Sequence, residues 1–207
     1  MTYTVGIYLF DEVEVLDFAG PFEVFSTAAR VKSRLEPQTV EAFKVFTLAD
    51  EQRTVAARGN LLVQPHYALT DHPPLDILIV PGGVVTVELE RKPVTEWIAT
   101  VSQTTAVTAS VCTGAFLLAK AGLLHNRPAI THWEDIDDLR TMFPDIDIKD
   151  GVRWVDTGPI VTSAGISAGI DMSLHLVARL EGETLAVKTA RQMEFDWEHS
   201  PTKNVWL

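Results

Sequence analysis

A single cysteine in 207 residues leaves no partner for an internal disulfide, so the core must hold this chain together, and a reducing, cytoplasmic setting is expected. Positive charge is scarce. The 17 Lys and Arg face 28 Asp and Glu, for a net charge of -11. Nucleic acid is therefore not an expected partner, because phosphate binding depends on clustered Lys and Arg. No apolar run approaches the roughly 18 residues of a membrane span, so no membrane partner is expected. The amino terminus lacks a basic flank and meets Asp11 and Glu12 too soon for a signal peptide. Histidines and acids do not fall at metal-ligand spacings, and no glycine loop of the dinucleotide or Walker type follows a strand, so neither a metal nor a cofactor is expected. Internal repeats and low-complexity linkers are also missing, which predicts one domain over residues 1–207.

What is present is a soluble, globular composition, 46% hydrophobic and 22% charged, with strand and helix signals in alternation. Strands are predicted at residues 5–10, 43–48, 75–80, 105–111, 128–131 and 160–162, with short ones at 146–149 and 152–155. A hairpin is predicted from residues 54–57 and 61–64 across Arg58-Gly59-Asn60. Helices are predicted at 21–31, 93–103, 115–121, 134–142, 168–180 and 185–193. The alternation predicts an α/β, three-layer sandwich around a mainly parallel sheet. In the tail, Trp197 and Trp206 need a surface to cover them.

The chemistry centres on residues 105–124. Thr105 to Val111 is small, β-branched and uncharged, as a strand buried on both faces must be. Ala115 to Ala121 is then a run of helix formers, and Gly122 is placed to end that helix in the left-handed conformation. Cys112 sits at the junction, a nucleophile elbow in which backbone N–H groups and the helix dipole would favour a thiolate. Gly114 would let backbone approach a ligand. A lone cysteine after an apolar strand is also often a small buried hydrophobe, and both readings stand here.

Three more positions gather at strand ends. Asp17 falls in the predicted connection after the first strand, either as a functional carboxyl or as the cap of the next helix. Gly82 and Gly83 follow the strand at 75–80, either turning N–H groups toward a ligand as an oxyanion site or simply forming a turn. His132 ends the strand at 128–131, where it would exchange protons with a thiol, cap or pack. His175 lies on an apolar helix and reads as a core or interface histidine.

Several stretches together resemble the ThiJ/PfpI superfamily, within the class I glutamine amidotransferase-like group, over nearly the whole chain. They are Ser110-Val111-Cys112-Thr113-Gly114 with Ala121-Gly122-Leu123-Leu124, Thr131-His132-Trp133, Ala164-Gly165-Ile166-Ser167-Ala168-Gly169-Ile170-Asp171, and Leu16-Asp17 before Gly20-Pro21. The resemblance implies a flavodoxin-like fold. Two branches are similar: isonitrile hydratases, and the sensing domains of AraC-type regulators. The first implies Cys112 as nucleophile, Asp17 as its partner carboxyl, a homodimer, and hydration of an isonitrile to an N-substituted formamide. It also places Ile166 near the sulfur, with the Gly83 and Thr113 N–H groups stabilising developing charge. The second implies a ligand sensor without turnover, here lacking a basic helix-turn-helix. PfpI-type peptidases carry a histidine directly after the nucleophile, whereas this chain has Thr113, so peptidase activity is not expected. Where the hydratases have a run of glycines, Ser163-Ala164 would bring side chains close to the pocket.

Overall fold

The uncharged β-branched runs become a sheet because their backbones can be satisfied only by neighbouring strands once water is excluded from both faces. The computed structural model describes residues 1–202. In chain order the first half comprises β1 (Tyr3–Tyr8), α1 (Val15–Leu35), β2 (Phe43–Ala49), β3 (Val55–Ala57), β4 (Leu61–Val63), β5 (Tyr67–Ala68), β6 (Ile77–Val80), α2 (Thr86–Glu90) and α3 (Lys92–Val101). The second half comprises β7 (Val107–Val111), α4 (Gly114–Lys120), β8 (Pro128–Ala129), α5 (Ile136–Met142), β9 (Asp147–Ile148), β10 (Trp154–Asp156), β11 (Ile160–Ser163), α6 (Ala168–Glu181) and α7 (Glu183–Gln192).

Seven strands form the central sheet in the order β10-β11-β7-β6-β1-β2-β5, parallel throughout except for β10 at one edge. Helices α1, α6 and α7 pack together on one side, and α2, α3 and α4 associate on the other. The result is the three-layer sandwich expected. All four residues of β6 and all five of β7 are buried. At roughly 1.5–3 kcal/mol for each large apolar side chain removed from water, these central strands supply much of the driving force. Their carboxyl ends open onto one edge, where the loops collect.

The sequence expectations hold for β1, β2, the β3–β4 hairpin, β6, β7, α4, β11 and α6. Gly122, at φ +78°, ends α4 in the left-handed conformation as anticipated.

Three elements differ from expectation. Helix α1 begins at Val15, not at residue 21, because Glu14 caps it and accepts a hydrogen bond from the Val15 N–H. Pro21 lies inside the helix, so Asp17 belongs to its first turn and is neither in a loop nor the cap. Strand β8 leaves the central sheet and pairs in parallel with β9. Strand β5 adds a short edge to β2. His175 is not a core residue: it is half-buried, hydrogen-bonded to Asp156 at 2.7 Å and packed on the Trp154 ring. Trp197 packs against the core, and Trp206 lies outside the described residues. Among the described residues, no helix is long and apolar enough to cross a membrane.

Candidate active site

Cys112 follows the last residue of β7 and has φ +56°, a left-handed backbone that a side chain rarely adopts. Two bonds hold it there. Its N–H donates to the Ser163 carbonyl at 3.1 Å, and its carbonyl accepts from the Thr131 hydroxyl at 2.9 Å. The chain can turn from β7 into α4 so sharply because residue 114 is glycine: a Cβ there would stand 2.1 Å from the Val80 carbonyl oxygen. Gly114 thus serves the approach of backbone to backbone, not of backbone to ligand as its position in the sequence suggested.

The thiol and the Asp17 carboxyl meet below the surface, Cys112 being 7% exposed and Asp17 fully buried. One carboxyl oxygen, Oδ2, accepts from the Gly82 N–H at 3.0 Å. The other, Oδ1, is buried without a nitrogen or oxygen partner, and the Cys112 thiol lies within interaction range of the carboxyl. Burial pushes the Asp17 carboxyl up to about 7; the Gly82 N–H opposes that shift and the nearby Glu14 charge adds to it.

The thiol is also pushed up, first by burial and then by the Asp17 charge, although the Thr113 N–H and hydroxyl both favour the anion. This corrects the expectation that the elbow alone would yield a thiolate. The two-turn helix α4 does not outweigh burial beside a carboxylate. Two acids in this contact cannot both be charged at modest pH, so at least one of them keeps its proton and their titrations are coupled.

Thr113 ties the loops together. Its hydroxyl donates to the Gly83 carbonyl and accepts from the Gly83 N–H, each at 2.9 Å. The N–H groups of Gly82 and Gly83, expected to face a ligand as oxyanion donors, are therefore committed to Asp17 and Thr113. Gly83, at φ +135°, is glycine for a packing reason, since a Cβ would lie 2.3 Å from the Glu12 carbonyl oxygen. Of the three expected donors, the Thr113 N–H is the one directed at the sulfur.

The pocket over the thiol has a volume of about 370 Å³ and is lined by Glu14, Arg58, Gly83, Cys112, Thr113, His132, Glu134, Asp135 and Ile166. His132 Nδ1 accepts from the Glu134 N–H at 3.4 Å and stands 3.3 Å from Asp135. The opposite ring edge faces the thiol across Gly165: a Cβ on that glycine would lie 2.6 Å from His132 Cδ2 and 2.7 Å from Cys112 Sγ. Ile166 forms part of the exposed wall. Ser163 and Ala164, expected to crowd the pocket, do not line it: Ser163 is buried against the Ser110 carbonyl, and Ala164 packs with Ile130, Ile136 and Ala168.

Glu14, Arg58, Glu134 and Asp135 were not singled out from the sequence, and Gly165 entered only within the motif of residues 164–171. Glu14 stands one helical turn before Asp17, a spacing that a helix starting at Val15 would have revealed. Arg58 belongs to the predicted hairpin turn, and nothing local in the sequence shows where that turn lands. Among the described residues no group of acids, histidines and cysteine is arranged to hold a metal ion.

A model of the DJ-1/PfpI family matches residues 3–179. The isonitrile hydratase of Pseudomonas putida is 32% identical over 202 residues, covering 97% of this chain and 80% of that protein. The HTH-type transcriptional regulator CdhR of Pseudomonas aeruginosa is 29% identical over 178 residues, covering 86% of this chain and 51% of the regulator, so the chain spans about half its length. A crystal structure of a ThiJ/PfpI family protein from Pseudomonas syringae superposes with a TM-score of 0.83 at 24% identity, over 96% of this chain and 77% of that one. By the length matched, this chain belongs to the DJ-1/PfpI family, and its fold agrees.

Proposed function

We propose that this protein is a cysteine-dependent hydratase of a small molecule, of the isonitrile hydratase kind, with Cys112 as nucleophile and Asp17 as the group that carries protons. The observation behind this reading is the buried Asp17 carboxyl, pushed up to about 7 against the only thiol of the chain. A carboxyl that holds its proton near neutrality can both donate it and take it back.

With a proton on Asp17, the Cys112 thiolate attacks the terminal carbon of an isonitrile R–NC. The C–S bond forms, the same carbon takes the Asp17 proton, and the product is a thioimidate, R–N=CH–S–Cys. Water then adds to that carbon while Asp17 relays one of its protons to nitrogen. As the C–S bond breaks, Asp17 takes the remaining hydroxyl proton and R–NH–CHO leaves. Thiolate and protonated carboxyl are restored. The Thr113 N–H, beside the sulfur, stabilises the anion at the start and end of the cycle.

The test is formamide production from an aryl isonitrile by wild type and by Cys112→Ala. Turnover confined to wild type supports the reading. No turnover by wild type, with a thiol that still alkylates, sinks it in favour of a sensor. That second reading draws on the similarity to CdhR and needs only the pocket. Peptidase activity is not proposed, with Thr113 where a histidine would be required. A homodimer in the cytoplasm is proposed with the hydratase, and sedimentation of the purified chain as a monomer would remove the first part.

A further inference from the structure

Arg58 stands apart from the arginines near it. Arg53 engages both oxygens of Asp11 through its terminal nitrogens, and Arg91 bridges Asp50 and Glu88. Arg58 makes one side-chain contact among the described residues, from Nε to Glu14 Oε2 at 3.6 Å, which is beyond hydrogen-bond range. Its two terminal nitrogens have no partner there.

The backbone under it is nonetheless fixed. The Arg58 N–H donates to the Val13 carbonyl at 3.0 Å, which fastens the β3–β4 turn to the segment that carries Glu14. A half-exposed guanidinium thus stands at the wall of the Cys112 pocket on a fixed backbone, with its fork uncommitted. Such a fork matches the two oxygens of a carboxylate.

We propose that Arg58 anchors the substrate, and that the pocket takes a small molecule bearing a carboxylate, or another planar anion, at the end remote from the carbon that reacts with Cys112. The proposal rests on the reading of this pocket as a small-molecule site.

The other charges facing the pocket set the terms. Glu14 is the weak partner that an incoming anion displaces from Arg58. Asp135 is tied to His132 at 3.3 Å, and the Glu134 side chain is 64% exposed, so solvent screens it. Direct contact with a weakly paired guanidinium outweighs the screened charge of Glu134 across the opening.

Alkylation of Cys112 by iodoacetate and by iodoacetamide, two reagents of similar size that differ in charge, tests this without requiring hydratase turnover. Arg58→Gln is expected to lower the iodoacetate rate relative to the iodoacetamide rate by about five- to tenfold at low salt, as removal of one nearby charge dictates. In wild type, 0.5 M salt should erode the same ratio. Arg30→Gln, which removes an exposed charge from α1 outside the pocket, should leave it unchanged. A ratio that Arg58→Gln leaves within twofold of wild type overturns the assignment even if formamide forms. A shifted ratio sustains it even if no isonitrile is hydrated.

Discussion

The Asp17 carboxyl lies against the Cys112 thiol with both groups out of solvent, and a single backbone N–H, from Gly82, holds the carboxyl in place. Burial raises the folded-state pKa of Asp17 from 3.8 to about 7, so the folded protein binds this proton more tightly than the unfolded chain does. The stabilising contribution is complete below about pH 4, declines as pH rises, and is lost above about 7. It amounts to at most about 4 kcal/mol. Asp17→Asn should flatten this dependence, so that urea midpoints of variant and wild type diverge in the variant's favour between pH 5 and pH 8. Parallel midpoints across that range would mean that the carboxyl is ionised throughout.

Gly165 leaves room for the sulfur. A Cβ at that position would fall inside contact distance of both Cys112 Sγ and His132 Cδ2. Gly165→Ala is expected to cost about 1–3 kcal/mol as overpacking and to slow alkylation of the thiol by displacing it. Unchanged stability together with an unchanged alkylation rate would show that the loop after β11 gives way freely.

The Thr113 hydroxyl satisfies both backbone groups of Gly83. Thr113→Val keeps the shape and removes both bonds, with an expected loss of about 1–3 kcal/mol, whereas Thr113→Ser should retain most of that stability. Thermal unfolding of the two variants separates the hydroxyl from the methyl, and equal losses would assign the effect to packing.

Away from the site, the fully buried Tyr8 hydroxyl donates to Glu88, a carboxylate 4% exposed that also accepts from Arg91 at 3.1 Å. Burial and the Glu88 charge hold the Tyr8 pKa far above that of a free phenol, so the hydroxyl stays a donor throughout the physiological range. Tyr8→Phe should destabilise the fold by about 1–3 kcal/mol and leave Cys112 alkylation unaltered. A changed alkylation rate would mean that the two regions are coupled through the segment after β1.

The sheet was legible because its strands are buried on both faces and carry an unbroken apolar signature, as Ile77 to Val80 and Val107 to Val111 do. The elbow was legible for a related reason: a strand signature changes to a helix signature at one residue. The start of α1 was not, because Pro21 is favoured in a first turn and drew the predicted boundary six residues too late. The strand character of residues 128–131 was read correctly over Pro128 and Ala129, but sequence pattern does not say which strand a short segment will pair with. At the site, Cys112 is visible at the end of a strand, and Asp17 as an acid in the connection that follows the first strand, although the structure places it in the first turn of α1. The commitment of the Gly82 and Gly83 N–H groups is not visible, because their partners, Asp17 and Thr113, are 65 and 30 residues distant in the chain.

The paired bonds between Thr113 and Gly83, together with the one from Gly82 to Asp17, fasten three segments in a row: the start of α1, the turn after β6 and the turn after β7. The turn after β6 cannot shift away from either neighbour without breaking a hydrogen bond. Asp17 and Cys112 are therefore organised when the protein folds, before any ligand arrives, and binding carries little further ordering penalty. Adaptation to different ligands then falls to the parts of the pocket outside these bonds. Diversification of specificity on this scaffold would leave the floor fixed and rework the rim, through the turn that bears Arg58 and the loop that bears Ile166.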